Sequence, residues 1–150
     1  MIILFKKFLK YLIFLLPWFI GGLIFRTDTG YYMGLDKPLF APTPIIFGIV
    51  WPILYILIGY SVYKTWNNST SNYKIYLVIN YLANQLFTLA FFVIKSNFLG
   101  LVDTIIILIS SLYLYIETRS INKKYAKYLI PYIIWNIYAL ILIFSIFVMN

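Results

Sequence analysis

The 150-residue sequence contains no cysteine and no histidine. Without cysteine it can form no disulfide, offer no thiolate nucleophile and hold no metal through sulfur. Without histidine it lacks the commonest general base and the commonest ligand of transition metals. These absences exclude the usual catalytic and metal-binding sites, so we expect no catalytic residue, no metal ligand and no required cofactor.

Charge is also scarce, at 11% of the residues, whereas 63% are hydrophobic and the mean hydropathy is +0.91. A soluble domain of this length could not hide that much apolar surface, so the solvent must be a lipid bilayer. Twelve basic residues oppose four acidic ones, for a net charge of +8. The basic residues lie between the apolar runs, which is typical of membrane-interface anchors and argues against a nucleic-acid partner.

Five apolar segments are long enough to cross the bilayer, because about 20 helical residues span its hydrocarbon core of about 30 Å. Short loops separate most of them, and short loops join antiparallel neighbours. We therefore predict an all-α integral membrane protein with a single domain, residues 1–150. It should be a five-transmembrane-helix bundle with a long ordered loop between helices 1 and 2. The predicted helices are Phe8–Phe25, Thr43–Trp66, Tyr73–Ile94, Leu99–Ile116 and Tyr125–Val148.

The N-terminal stretch "MIILFKKFLKYLIFLLPWFIGG" places basic residues before an apolar run and small residues, which is also how a secretory signal begins. The apolar run continues through Gly22 to Phe25 before a polar loop follows. This length favours an uncleaved first transmembrane helix.

Predicted helix 3 carries polar side chains at helical spacing. Asn80, Asn84 and Thr88 are four residues apart, and Gln85 is adjacent. They share a face that should point inward, because unpaired polar groups are costly in lipid. Spacing alone leaves two interpretations open, which are amides that tie neighbouring helices together and a ligand site.

Aromatic residues and glycines alternate along one face of predicted helix 2. Trp66 ends this helix, a position typical of an interface anchor, whereas Trp51 lies nearer the middle and needs a polar partner for its indole N–H. The two glycines permit close approach of another backbone or of a ligand. The full stripe is Gly48, Trp51, Tyr55, Gly59, Tyr63 and Trp66.

The four acidic residues include three candidates for a structural role. Asp103 lies near the start of predicted helix 4, where we expect it to cap the helix or to pair at the membrane interface. In the long loop, Asp28 and Asp36 lie close to Arg26 and Lys37. We expect solvated ion pairs there rather than a pair of catalytic carboxylates.

Ordered motifs along nearly the whole chain resemble those of one membrane-protein family. "YYMGLDKPLFAPTPIIFGIVWPILYILIGYSVYKTW" has a Tyr, a short spacer, Leu-x-Lys-Pro, an aromatic residue, and then Gly-x-x-Trp at the start of helix 2. "NYLANQLFT", "GLVDTIIIL" and "LIPYIIW" follow in helices 3, 4 and 5. The set is similar to the translocator protein family, also called TspO, tryptophan-rich sensory protein or peripheral-type benzodiazepine receptor. Abundant Ile, Lys, Asn and Tyr indicate a bacterial member, in the cytoplasmic membrane.

The resemblance implies a five-helix bundle, often a homodimer, with a ligand cavity closed by the first loop. Family members bind tetrapyrroles such as protoporphyrin IX and haem-related pigments, isoquinoline carboxamides and benzodiazepines, and some bind sterols. A porphyrin is thus the implied ligand here, within a lipid bilayer. The ligand-binding residues matched motif to motif are Tyr32, Pro42, Trp51, Tyr55, Asn84 and Trp135, and helical position adds Gln85, Thr88, Ala139 and Leu142.

The chain departs from the family pattern in the loop and in helix 5. Phe40 stands where members often have Trp, and Thr43 where they have a second Pro, so we expect a stiff loop with a smaller aromatic lid. The animal proteins end helix 5 with an Asn, Trp and Arg pattern associated with cholesterol. Ile143, Phe147 and Val148 occupy those positions here. We therefore expect poor sterol recognition.

Three functions fit the resemblance. We rank first a tetrapyrrole-binding protein that acts as a sensor, carrier or scavenger. A transporter ranks second, because the sequence has no evident inverted repeat and no paired broken helices. A light-dependent enzyme that degrades porphyrin ranks third, and multiple turnover would distinguish it from a stoichiometric photoreaction.

Basic residues are unequally divided between the two ends of the predicted bundle. Because basic residues stay on the cytoplasmic side, we predict the N-terminus inside and the C-terminus outside. A topology reporter fused to either end would check this, and a C-terminal reporter on the inside would contradict it. One end has Lys6, Lys7, Lys10, Lys64, Lys74, Arg119, Lys123, Lys124 and Lys127, and the other has Arg26, Lys37 and Lys95.

Overall fold

The computed structural model describes residues 2–150. It contains five helical spans long and apolar enough to cross a membrane, and this confirms the predicted all-α architecture. We number them spans 1 to 5 in chain order. They are Ile3–Ile24, Pro44–Asn68, Ser71–Val93, Asn97–Ile121 and Lys123–Met149.

Several spans combine more than one type of helix. Span 1 is α-helical over Ile2–Leu15 and Ile20–Ile24, with a 3₁₀ turn at Leu16–Phe19 between them. The loop that follows contains a short loop helix, Thr29–Gly34. The remaining segments are α Pro44–Thr65 with 3₁₀ Trp66–Asn68, α Ser71–Phe87 with π Thr88–Val93, α Asn97–Ile121, α Lys123–Ala126, 3₁₀ Lys127–Leu129 and α Ile130–Met149.

Two predicted helices are too short: the first begins too late, and the fourth ends too early. Span 4 continues to Ile121, so the predicted loop "ETRSINKK" is helical apart from Asn122. Asn122 has an extended backbone, and its side chain caps span 5 by accepting a 2.9 Å hydrogen bond from the N–H of Lys124. The apolar run measures only the lipid-embedded length, whereas Lys, Glu and Arg extend a helix readily into water.

Asp103 does not cap span 4, so that expectation is wrong. The helix begins at Asn97, and the hydroxyl of Ser96 caps it by accepting from the N–H of Leu99 at 3.2 Å. Asp103 lies further along the helix and is buried, and its Oδ2 has no hydrogen-bond partner among the described residues. The predicted start at Leu99 was late because it passed over Ser96, which is itself a good N-cap residue.

Span 1 is broken at Pro17, which removes a backbone donor from the helix. Span 3 supplies the partners that the break requires. The hydroxyl of Tyr81 donates to the carbonyl of Pro17 at 3.0 Å. The amide of Gln85 donates to the carbonyl of Trp18 at 3.3 Å and accepts from the N–H of Gly21. A break in lipid is tolerated because a neighbouring span satisfies the freed backbone groups.

A fully buried polar cluster joins spans 3, 4 and 5. Asn80 donates to the carbonyl of Ile107 at 3.1 Å and to the hydroxyl of Ser110 at 2.9 Å, both in span 4. Its side-chain oxygen accepts from the Tyr132 hydroxyl of span 5 at 3.0 Å. Asn84 donates to the same Tyr132 oxygen. Of the two interpretations left open, interhelical bonding therefore describes Asn80.

Spans 1 and 2 meet closely at Gly59. A Cβ added there would lie 3.2 Å from the Cα of Leu15 and 3.2 Å from the carbonyl oxygen of Phe14. Both contacts are with backbone, which cannot rotate away. A Cβ added at Gly48 in the same span would meet nothing within 4 Å. The two glycines of the aromatic stripe thus have different surroundings.

Gly59→Leu should lower the free energy of unfolding by about 1–3 kcal/mol, because the added side chain forces spans 1 and 2 apart. Gly48→Leu is the matched control, and it should leave stability unchanged or raise it by up to about 1 kcal/mol through helix propensity. Thermal unfolding in detergent measures both variants. Equal destabilisation by the two substitutions would contradict the close contact at Gly59.

Candidate functional site

One cavity of about 430 Å³ lies inside the bundle at the end covered by the long loop. All five spans and the loop contribute to its wall, which is mostly aromatic and aliphatic. No charged side chain among residues 2–150 lines it. The lining residues are Trp18, Phe19, Gly21, Gly22, Thr27, Thr29, Tyr32, Pro44, Phe47, Gly48, Trp51, Pro52, Tyr55, Asn84, Gln85, Phe87, Thr88, Phe91, Phe92, Thr104, Ile107, Trp135, Asn136, Ala139, Leu142, Ile143 and Ile146.

Nine of the ten residues carried over from the family resemblance line this cavity. The exception is Pro42, whose carbonyl instead accepts a 2.8 Å hydrogen bond from the Tyr32 hydroxyl. Pro44, two residues later, forms the wall at that point. Pro42 therefore positions Tyr32 rather than facing the cavity. The nine are Tyr32, Trp51, Tyr55, Asn84, Gln85, Thr88, Trp135, Ala139 and Leu142.

Two tryptophans from different spans form aromatic walls. The ring of Trp51 in span 2 lies 5.5 Å from that of Tyr55 and 6.4 Å from that of Tyr132, measured between centroids. The ring of Trp135 in span 5 lies 6.0 Å from Phe47 and meets it edge-on. The indole nitrogen of Trp135 is buried and has no hydrogen-bond partner among the described residues. The cavity thus offers flat apolar surfaces from two different spans.

Several polar side chains on the wall already have hydrogen-bond partners. Asn84 donates to Tyr132, and Gln85 is bonded to the backbone of span 1. Asn136 donates to the hydroxyl of Ser111 at 3.3 Å. Pro52 has no N–H, so the Gly48 carbonyl one turn earlier lacks its helical donor at the cavity wall.

The π segment Thr88–Val93 brings further residues to the wall. The N–H of Ile94 donates to the carbonyl of Leu89 at 2.8 Å, five residues earlier. The wider turn shifts the helical register, and Thr88, Phe91 and Phe92 all line the cavity. Such segments occur often at functional sites. The regular four-residue spacing of the sequence gave no sign of the shift.

Sequence reasoning missed Trp18 and Phe19, which line the cavity from span 1. They lie in the 3₁₀ turn next to Pro17, and Trp18 is only 4% exposed. The available signal was "LLPWF", a Trp in the middle of an apolar run and directly after a proline. A tryptophan that serves as an interface anchor belongs at the end of such a run.

The loop helix covers the cavity through Tyr32. Its side chain is 3% exposed and meets Phe47 edge-on at 5.5 Å. Burial raises the pKa of Tyr32 to about 12, so the hydroxyl keeps its proton and its bond to Pro42 at neutral pH. Lys37 Nζ donates to the carbonyls of Tyr32, Met33 and Leu35 at 2.9, 3.0 and 2.7 Å, which neutralises the end of the loop helix.

The expected ion pairs of Asp28 and Asp36 with Arg26 and Lys37 are not formed. Asp28 instead pairs at 3.0 Å with Lys95, in the turn between spans 3 and 4. The side-chain amide of Asn150 donates to the carbonyl of Asp36 at 2.9 Å and accepts from the N–H of Asp36 at 3.0 Å. Folding brings Asp28 close to Lys95, and the backbone of Asp36 close to Asn150, at the same end of the bundle.

Tyr31 adds contacts between the loop helix and the same turn. The hydroxyl of Tyr31 lies 2.8 Å from the side-chain oxygen of Asn97 and donates to the carbonyl of Lys95 at 3.1 Å. Lys95 has a φ of 59°, a left-handed conformation that is uncommon for a residue with a side chain. We call these four residues, Asp28, Tyr31, Lys95 and Asn97, the loop latch.

Phe40 does not form part of the cavity wall, which corrects the expectation of an aromatic lid at this position. It is half exposed, and its ring packs edge-on at 6.2 Å against Tyr138. The Tyr138 hydroxyl donates to the Phe40 carbonyl at 2.9 Å. This contact fixes the loop to span 5 from the outside.

The sequence is similar to one family of membrane proteins over most of its length. The model of the TspO/MBR family matches residues 11–149. A Tryptophan-rich protein TspO from Bacillus cereus is 31% identical over 135 residues, covering 88% of each chain. The uncharacterized membrane protein YtaB from Bacillus subtilis is 31% identical and covers 87% of this chain and 86% of its own. A Tryptophan-rich protein TspO from Archaeoglobus fulgidus is 31% identical over 80% of each.

Asp28→Asn should loosen the loop helix, because it removes the charge of the latch while an asparagine still caps the helix. Amide hydrogen exchange of Thr29–Gly34 at neutral pH should be about two- to fivefold faster, as expected for an exposed ion pair. The matched control is Asp36→Asn in the same loop, whose carboxylate forms no ion pair among the described residues. Similar acceleration by both variants would contradict the latch.

The same latch predicts a pH dependence. The hydrogen bond from Lys95 holds the pKa of Asp28 below its ordinary value. The stabilising contribution is therefore present above the unfolded-state pKa of about 3.9 and is lost as the pH falls through the lower folded-state pKa. Exchange corrected for its intrinsic pH dependence should rise below about pH 4 in the parent chain and stay flat in Asp28→Asn.

Proposed function

The chain belongs to the TspO/MBR family, and we propose that it binds a tetrapyrrole of the porphyrin class in the cavity, as a sensor, carrier or scavenger. The observation that carries this proposal is a preformed, aromatic-walled cavity with no charged residue among those described in its lining. Its volume of about 430 Å³ falls within the range of small-molecule sites.

A porphyrin is broad, flat and largely apolar, and these properties match the cavity wall. Trp51 and Trp135 offer aromatic surfaces from two spans, with Tyr55 and Phe47 beside them. Aromatic rings favour offset-stacked or edge-on contact with a flat conjugated plate.

The acidic edge groups of a porphyrin need water or polar partners, because an isolated carboxylate is costly in an apolar cavity. Thr27 and Thr29 line the cavity at its loop end, and the exposed Arg26 precedes them. We expect the apolar face of the ligand to lie against span 5 and the carboxylates to point toward these hydroxyls. The loop needs little ordering on binding, because the latch and the Tyr32–Pro42 bond already hold it.

Other expectations from the resemblance belong to this proposal. We propose a homodimer in a bacterial cytoplasmic membrane, with isoquinoline carboxamide or benzodiazepine-type ligands entering the same cavity. Sterol should bind more weakly than porphyrin. Ile143, at the position of the family's asparagine, is buried in the cavity wall, while Phe147 and Val148 are exposed.

Trp51→Ala should weaken porphyrin binding by up to about tenfold, because it removes an aromatic contact worth about 0.5–1.5 kcal/mol. Quenching of protein fluorescence by added protoporphyrin measures the dissociation constant. Trp66→Ala is the matched control, since Trp66 lies outside the cavity and packs against Phe14. Trp51→Phe should restore part of the affinity. Unchanged binding by Trp51→Ala, or an equal loss in Trp66→Ala, would contradict the assignment of the cavity.

A further inference from the structure

A second concavity lies on the outer surface of the bundle, at the opposite end from the loop. This groove has a volume of about 530 Å³, and span 2 forms its floor between the flanking spans 1 and 5. Phe8 and Tyr11 form one wall, and Tyr128 forms the other. None of its residues lines the tetrapyrrole cavity, so it is a separate site.

Tyrosines give the groove a fixed shape. The hydroxyl of Tyr11 donates to the Ile56 carbonyl at 3.0 Å, which ties span 1 to span 2. The ring of Tyr60 meets Tyr128 of span 5 edge-on at 5.0 Å. The ring centroid of Tyr11 also lies 6.2 Å from that of Tyr60 and 6.0 Å from that of Tyr63. The walls are therefore held by contacts among the spans.

The rim of the groove is positively charged. Lys7 and Lys64 both line it and are exposed, and neither forms an ion pair within residues 2–150. Lys64 Nζ lies 5.5 Å from the Tyr60 ring centroid and 5.2 Å from that of Tyr63, so two rings direct its charge to the groove. Nine basic residues lie at this end of the bundle, against the single acidic residue Glu117.

We propose that the groove binds one anionic phospholipid from the leaflet at the basic end of the bundle. Lys7 and Lys64 would bind the phosphate, and an acyl chain would lie along Phe8, Ile56 and Leu57. Basic pockets between transmembrane helices on the cytoplasmic side are suited to anionic headgroups.

The dimensions favour a lipid over a protein partner. Lys64 and Ile56 are eight residues apart, so the groove descends about 12 Å from the charged rim, within one leaflet of about 15 Å. Its apolar residues are exposed where acyl chains lie, with Phe8 at 56% and Ile56 at 48%. A lipid with a negative headgroup would place its phosphate at the basic rim and an acyl chain against the apolar floor of the groove.

The test compares phosphatidylglycerol with phosphatidylcholine of the same acyl chains, added to delipidated protein and counted by native mass spectrometry. We expect one phosphatidylglycerol to bind with about tenfold or higher preference. Lys7→Gln combined with Lys64→Gln should reduce that affinity about tenfold or more, since each lysine near an anionic headgroup contributes a factor of about five. Ile56→Trp, which fills the groove and keeps both charges, should also lower it.

Lys123→Gln combined with Lys124→Gln is the matched control, because it removes the same charge from the same end outside the groove. It should change affinity less than threefold. Equal losses in the two double variants would show a diffuse surface effect and overturn the proposal. Equal binding of the two lipids by the parent chain, or unchanged binding by Ile56→Trp, would overturn it too. Thermal unfolding without lipid verifies that all variants are folded.

Discussion

Hydrocarbon offers no hydrogen bonds, so each polar group inside the bundle needs a partner from the protein itself. The hydrogen bond between Asn80 and Tyr132 is the centre of that arrangement, because both side chains are completely buried and each binds further groups. Asn80 fixes span 4 through Ile107 and Ser110, and Tyr132 holds span 5. The relative positions of spans 3, 4 and 5 depend on this cluster.

Span 3 extends the same principle in two directions. Toward span 1, Tyr81 and Gln85 bind the backbone freed at Pro17, and the break they stabilise brings Trp18 to the cavity. Toward the loop, the π segment that begins at Thr88 shifts the helical register and adds phenylalanines to the wall. The cavity exists because span 3 supports irregular backbone both in its neighbour and in itself.

The five spans were predictable because lipid imposes a length and an apolar composition that single segments reveal. Nine cavity residues could be carried over because the resemblance supplied motifs in the loop and in helices 2 to 5, whereas helix 1 had no motif and Trp18 and Phe19 were missed. The partners of Asp28 and Asp36 could not be predicted, since Lys95 and Asn150 are distant in sequence and meet the loop only in the folded bundle. The role of Asp103 was mispredicted for another reason. A polar residue near an apolar run indicates that a helix starts nearby, but it does not determine the residue at which the helix starts.

The hydrogen bonds that Asn84 and Gln85 already form also bear on the proposed selection of a ligand. Gln85 has its amide oxygen and nitrogen bound to span 1, and Asn84 donates to Tyr132, so neither amide is free to donate without breaking a structural bond. Under the proposed function these two amides therefore contribute little to discrimination, and the shape and flatness of the ligand contribute more. Under the proposed function, a wall of this kind would accept chemically different flat molecules, as expected from a family resemblance that spans porphyrins and synthetic aromatic ligands.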